Sequence, residues 1–213
     1  MGSPHYISVQ RLAEQIRLCT PQEAALVRSG DTIAISAKAN TPRVWLEALF
    51  ACAEQLENVE IMHMRLVGAF PKATSDLARH VRFNSLLVPE ALRAGVAAGY
   101  VDYTPAHFHQ ISSLFAEGPR KLDIAVVSVA PPTADGTCSY GAYVGFMEQA
   151  RRVARTVIAE VNEQMPQTYG PARLPLACAD AVIATDYPLP EHPRPVMTTI
   201  SPHTPRRLHA YPQ

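Results

Sequence analysis

Glu160 stands in the run Thr156-Val157-Ile158-Ala159-Glu160-Val161, whose other members are apolar or β-branched. Such a run suits a strand covered on both faces. An ionised carboxylate inside it is costly unless it is paired. The cheaper placement puts Glu160 and Asn162 at the carboxyl end of the strand, where an open α/β sheet builds its ligand crevice. There the carboxylate pairs with an arginine or with backbone donors, which lowers its nucleophilicity. Met165-Pro166 closes the polar loop that follows, because proline fixes its own φ and pushes the preceding residue into an extended conformation.

Other residues with chemical potential are weaker. His107 and His109 are two apart, so on a helix they point about 200° from each other and cannot share a metal. His63 is distant in sequence, and no metal site is expected. Cys19, Cys52, Cys138 and Cys178 form no metal-type pair and read as small buried hydrophobes in a reducing compartment. No Gly-x-Ser-x-Gly elbow occurs, so a serine hydrolase has little support. Ser36 to Thr41 joins an expected strand to an expected helix. It either offers free backbone N–H groups to a ligand or is a plain βα turn, and the absence of glycine favours the plain turn.

These residues need elements to hold them. Helical spacing of Val9, Leu12, Ala13 and Ile16 predicts a helix over 8–19. Thr20-Pro21-Gln22-Glu23 has the chemistry of a second helix start, and Ser29-Gly30 ends that helix. Strands are expected over 31–37, 58–64, 82–88, 100–105, 122–130, 156–161, 174–178 and 181–185, with 137–146 a strand or a loop. Helices are expected from Pro42, capped by Thr41, through Leu56, at 77–80, 89–99 and 107–117, and from Glu148 to Val153. Strands alternating with helices imply an α/β layered domain with a largely parallel sheet, in which the strands from Asp123 and Thr156 are neighbours.

Two motifs carry a resemblance. Val157 to Gly170 reads Val-Ile-Ala-Glu-Val-Asn-Glu-Gln-Met-Pro-Gln-Thr-Tyr-Gly. Asp123 to Pro132 is an apolar strand ending in Ala-Pro-Pro, followed by Asp135-Gly136-Thr137-Cys138-Ser139-Tyr140-Gly141. In this order and spacing they resemble the N-terminal domain of the acetyl-CoA hydrolase/CoA-transferase family, of the 4-hydroxybutyrate CoA-transferase kind. Ala130 stands where that family has serine, and Tyr140 where it often has leucine. The resemblance runs over about Asp31 to Pro195. It implies the Rossmann-like layered fold shared by CoA transferases and sugar-phosphate isomerases (the NagB/RpiA type).

The reaction so implied moves CoA between carboxylic acids, or to water, through an acyl-glutamyl anhydride and a glutamyl-CoA thioester. No bound cofactor is implied; a coenzyme A thioester is substrate. The family's nucleophilic glutamate belongs to a glycine-rich second domain, which this sequence does not match. Glu163 is a poor substitute, since solvent on its loop would hydrolyse an anhydride quickly. The residues implied to line the crevice are Asn162, Met165, Pro166, Ser139, Gly141 and Glu160. Asn162 either donates to a substrate oxygen or caps the turn after its strand. Ser139 positions substrate or is a turn hydroxyl; Gly141 admits ligand or relieves a steric constraint; Met165 packs on the acyl group or in the core. The alternative is a non-catalytic remnant or binding module that keeps the fold.

The bounds agree with this reading. The sequence has 213 residues, 47% of them hydrophobic, and a formal net charge of zero. Nucleic-acid binding needs a concentrated basic face, which is absent. No apolar run reaches the ~20 residues of a membrane span, and no secretory signal is visible. A cytoplasmic protein is expected, partnered by acyl-CoA and carboxylate substrates and by a second-domain chain or a copy of itself. Residues 1–30 are expected to be helices packed on the domain, 31–190 the α/β domain, and 191–213 an extended proline-rich tail.

Overall fold

The computed structural model describes residue 20 and residues 26–68, 72–116 and 121–191. The first expected helix, most of the second and the tail lie outside the described residues. Strands β1 (Thr32–Ile35), β2 (Val59–His63), β3 (Val81–Ser85), β4 (Val101–Tyr103), β5 (Ile124–Val129), β7 (Thr156–Asn162) and β9 (Ala181–Thr185) form a seven-stranded sheet in the order β4-β3-β2-β1-β5-β7-β9. Every pairing in it is parallel. The short strands β6 (Thr137–Ser139) and β8 (Arg173–Pro175) pair antiparallel as a separate ribbon.

The order reverses at β1. From there the chain steps outward through β2, β3 and β4, then returns to β5 on the other side of β1. Right-handed crossovers in opposite directions place helices on opposite faces. One face carries α1 (Arg43–Ala51) and α3 (Glu90–Ala97), with Trp45, Leu46, Leu49 and Leu92 packed on Ile33, Ile35, Ile61, Phe83 and Ile124. The other carries α4 (Ile111–Ala116) and α5 (Met147–Val153), with Ile111, Phe115, Met147 and Ala150 packed on Ala125, Val127, Ala159 and Val161. A further short helix, α2 (Leu77–His80), precedes β3.

The strands from Asp123 and Thr156 are neighbours, as a right-handed crossover between them predicts, with Ala125 opposite Val157 and Ser128 opposite Glu160. All six residues of β5 are buried, which explains why its sequence is continuous rather than alternating.

Four local expectations need correction. Thr41 does not cap α1; its Oγ1 donates to the Lys38 carbonyl at 2.8 Å and accepts from Val67 N–H at 3.1 Å. The run 174–178 is not one strand, because β8 stops at Pro175 and a 3-10 turn covers Leu176–Cys178. His107 lies outside the helix, before a 3-10 turn at Phe108–Gln110, so its ring stacks on that of His109 with centroids 5.7 Å apart. Of the described cysteines only Cys138 is buried; Cys52 is half-buried and Cys178 exposed.

Candidate functional site

The reversal at β1 leaves the carboxyl ends of β1 and β5 side by side with their connections diverging. That divergence is where open α/β sheets hold ligands. A cleft of about 530 Å³ opens at this end of the sheet. Its walls include Lys38 and Ala39 after β1, Arg65 after β2, Ala142 after β6, and Pro190 and Glu191 after β9. Two cationic residues and one carboxylate thus line the cleft, a balance that favours an anionic group.

Each wall has a local cause. Lys38 adopts φ 56°, uncommon for a residue with a Cβ, and its N–H donates to the Arg65 carbonyl at 2.7 Å. A parallel bridge joins Lys38 to Leu66, so the exits of β1 and β2 run together. The Lys38 ammonium lies 4.7 Å from the centroid of the Tyr143 ring, which directs an otherwise free side chain. Asn40 is buried and donates to the carbonyls of Ser128, at 3.1 Å, and Tyr140. One side chain thereby ties the β1 exit to the β5 exit and to the turn bearing Ala142.

Glu160 is fully buried on the face covered by α1. Its Oε2 accepts from Trp45 N–H at 2.8 Å, and its Oε1 accepts from the Tyr187 hydroxyl. The carboxyl therefore caps the first turn of α1 in place of Thr41. Burial raises its pKa to about 7; the Tyr187 hydroxyl and the N–H groups of Trp45 and Val44 oppose that rise, and Glu47 adds to it. Burial and the Glu160 charge in turn push the Tyr187 phenol upward. The Tyr187 oxygen also lies 3.4 Å from Thr41 O and from Arg43 N, and the Arg43 guanidinium sits 5.0 Å from its ring centroid.

Asn162 is buried at the end of β7. Its Nδ2 donates to Tyr187 O at 2.9 Å, while its Oδ1 accepts from Tyr187 N at 3.2 Å and Gln164 N at 3.1 Å. The amide thus holds the backbone of Tyr187 by both of its peptide groups. Ser139 Oγ accepts from Gly141 N and Thr168 N, both at 3.0 Å, and lies 2.8 Å from Thr168 Oγ1. Gly141 has φ 61°, and a Cβ there would land on the Met165 side chain. Met165 is buried, Pro166 exposed. The expected residues thus fall into two groups. Ser139, Gly141, Met165 and Pro166 come together around the 139–141 turn, while Glu160 and Asn162 meet at Tyr187.

Arg65, Tyr187 and Glu191 escaped the sequence reading, while Lys38 lies in the 36–41 loop, for which a plain βα turn was favoured over a ligand-facing one. Each follows the carboxyl end of an expected strand, so applying the crevice rule to every strand would have found them. No group of three or more metal-ligating side chains occurs among the described residues. No helix among them is long and apolar enough to cross a membrane.

Residues 9–197 match the acetyl-CoA hydrolase/transferase N-terminal domain. The chain is 34% identical over 146 residues to the 4-hydroxybutyrate coenzyme A transferase of Clostridium kluyveri, covering 68% of this chain and 34% of that protein. It is 31% identical over 194 residues to the succinyl-CoA:cyclohexane-1-carboxylate CoA transferase of Geobacter metallireducens, covering 89% and 42%. Among solved structures, RipA from Yersinia pestis superposes with a TM-score of 0.76 at 27% identity, covering 90% of this chain and 46% of that one. The 4-hydroxybutyrate CoA-transferase of Porphyromonas gingivalis gives 0.70 at 29% identity, covering 86% and 42%. The chain thus spans less than half the length of each.

Proposed function

The chain belongs to the acetyl-CoA hydrolase/transferase family, and from that premise we propose that it is the N-terminal half of an enzyme moving CoA between carboxylic acids. In this reading the nucleophilic glutamate that forms the glutamyl-CoA thioester stands on a second domain, outside this sequence. Water as acceptor, giving a hydrolase, uses the same half-site.

The observation that carries the reading is the cleft at the strand reversal, with Lys38 and Arg65 on its walls. Both substrates of such a reaction carry negative charge, as carboxylate or as CoA phosphates, and both are drawn to a concave cationic site. The turn of Ser139 and Gly141 leads directly into Ala142 on the cleft wall and is backed by Met165 and Pro166. In this reading that unit presents backbone to the acyl group, and Asn162 and Glu160 support the wall opposite. Neither Glu160 nor Glu163 is assigned as nucleophile. Glu160 is enclosed by its own donors, which reduces its nucleophilicity.

The test incubates the pure chain with acetyl-CoA, with and without a family second domain added in trans. Borohydride then reduces any glutamyl thioester to an alcohol, which mass spectrometry maps. The expected mark appears only on the added second domain. A mark on Glu160 or Glu163 of the chain alone, lost on Glu→Gln exchange, would overturn the half-enzyme reading.

A further inference from the structure

Beneath the cleft, one side-chain pair connects walls that are distant in sequence. We propose that Glu160 and Tyr187 are positioning residues, a latch holding the Lys38–Ala39 wall and the Pro190–Glu191 wall at a fixed separation. The proposal deepens the functional reading above and rests on the cleft being the ligand site.

The connectivity supports it directly. Lys38 and Ala39 lie just ahead of α1, whose first turn is held by Glu160 Oε2 through Trp45 N–H. Pro190 and Glu191 follow Tyr187 by three and four residues, and Tyr187 donates its hydroxyl to Glu160 Oε1. The two carboxyl oxygens thus hold the two walls, one each. On the first side, the Lys38 carbonyl accepts from Thr41 Oγ1 and from Thr41 N–H, so a fixed helix start fixes Lys38. On the second, Asn162 holds both peptide groups of Tyr187, and Pro188 and Pro190 stiffen the short span to the cleft. Without the pair, β7 would still be anchored in the sheet, but nothing else described between Tyr187 and the α1 start is stronger than the 3.4 Å contacts to Thr41 O and Arg43 N and the Arg43 stacking.

The latch is sensitive to protonation. Protonated, Glu160 can donate to the Tyr187 oxygen, whose hydrogen then turns to Thr41 O, and every group keeps a partner. Ionised, it is a buried charge whose desolvation its neutral donors only partly offset. The charged and titratable groups around it are Glu47, which opposes ionisation, Tyr187 itself, and Arg43 over the tyrosine ring. The walls should therefore be held most firmly below neutrality and loosen as pH rises through 7.

A plain helix cap would stabilise α1 without setting the separation of the walls, so the experiment reads that separation. Spin labels are placed at Ala39→Cys and Glu191→Cys in a background with Cys19, Cys52 and Cys178 changed to serine. Distance distributions are recorded at about pH 6 and about pH 8.5, either side of the carboxyl's transition. In the otherwise unchanged chain a narrow distribution at the lower pH should broaden at the higher. Glu160→Gln, which mimics the protonated acid, should be narrow at both. Tyr187→Phe, which keeps the ring over Arg43 and removes the link, should be broad at both. Equal distributions in all three proteins overturn the latch, as does broadening with pH that survives in Glu160→Gln. Circular dichroism checks that each variant is folded.

A second arm titrates acetyl-CoA as the probe. Its dissociation constant should rise about tenfold between the two pH values in the unchanged chain and stay level in Glu160→Gln. Label distances that behave as expected without acetyl-CoA binding at either pH uphold the latch and count against the CoA reading instead.

Discussion

Glu160 and His63 are both buried ionisable side chains near the carboxyl ends of parallel strands, and strand alternation puts both on the face that α1 covers. Their hydrogen-bond partners differ. Glu160 stands on the β5-β7-β9 side of the reversal and accepts from Trp45 N–H and the Tyr187 hydroxyl. His63 stands on the β4-β3-β2 side, edge-on to Phe83 at 5.7 Å, and neither ring nitrogen has a partner among the described residues. Among the described residues the strand neighbours of both, Ser85 beside His63 and Ser128 beside Glu160, leave a buried hydroxyl unpartnered, so the contrast lies in the ionisable groups themselves. Burial pulls His63 down to about 3 with nothing to oppose it, whereas the donors around Glu160 restrain its rise to about 7. Equal burial thus has different meanings. On one side a polar group fastens three elements together; on the other it only adds cost.

The largest test of this contrast is the pH dependence of stability. His63 is depressed in the fold, from 6.5 to about 3, so the unfolded chain takes up its proton first. Its contribution is whole above pH 6.5 and lost as pH falls toward 3. Glu160 is raised, from 4.5 to about 7, so its contribution is whole below pH 4.5 and lost as pH rises through 7. Each changes stability by at most about 1.4 kcal/mol per pH unit, with opposite sign. Between 4.5 and 6.5 the two nearly cancel, and single variants should unmask them. Relative to the unchanged chain, denaturant titrations should show His63→Leu gaining stability steadily as pH falls, and Glu160→Gln gaining as pH rises. Parallel curves would erase the comparison.

Truncation comes next in size. Glu160→Ala strips partners from Trp45 N–H and the Tyr187 hydroxyl and leaves a cavity, and should cost about 3 kcal/mol at pH 6 in a urea titration. The smallest effect belongs to His63→Leu at pH 7. Replacing two unpartnered nitrogens by hydrocarbon of similar size should leave stability level or raise it by about 1 kcal/mol. A loss of comparable size instead would mean that His63 has a partner in the folded protein and that the two halves are alike.

Much of the architecture was legible in the residues. The apolar runs at 122–130 and 156–161 predicted buried strands and the right-handed crossover rule made them neighbours; both expectations hold in the sheet. Glu160, conspicuous as a carboxylate in such a run, proved to be a junction. The misreadings share one cause. Thr41 has the right chemistry for a cap, but its hydroxyl is taken by Lys38 and Val67, and Glu160 arrives from 115 positions away. His107 and His109 obey helical geometry only if the helix reaches them, and it begins at Ile111. Tyr187 drew no notice because a tyrosine after a strand has no local signature.

By itself, then, the sequence determined the α/β class, most strand positions, and the family, because hydrophobic period and contiguous motifs are local properties of the chain. Only the tertiary structure decided the strand order, the cleft of Lys38, Arg65 and Glu191, and the pairing of Glu160 with Tyr187 and α1. Those depend on which strand ends meet at the reversal of a sheet. The free energy that selects the meeting comes from burial and hydrogen bonds between residues far apart along the chain, and no local pattern records it.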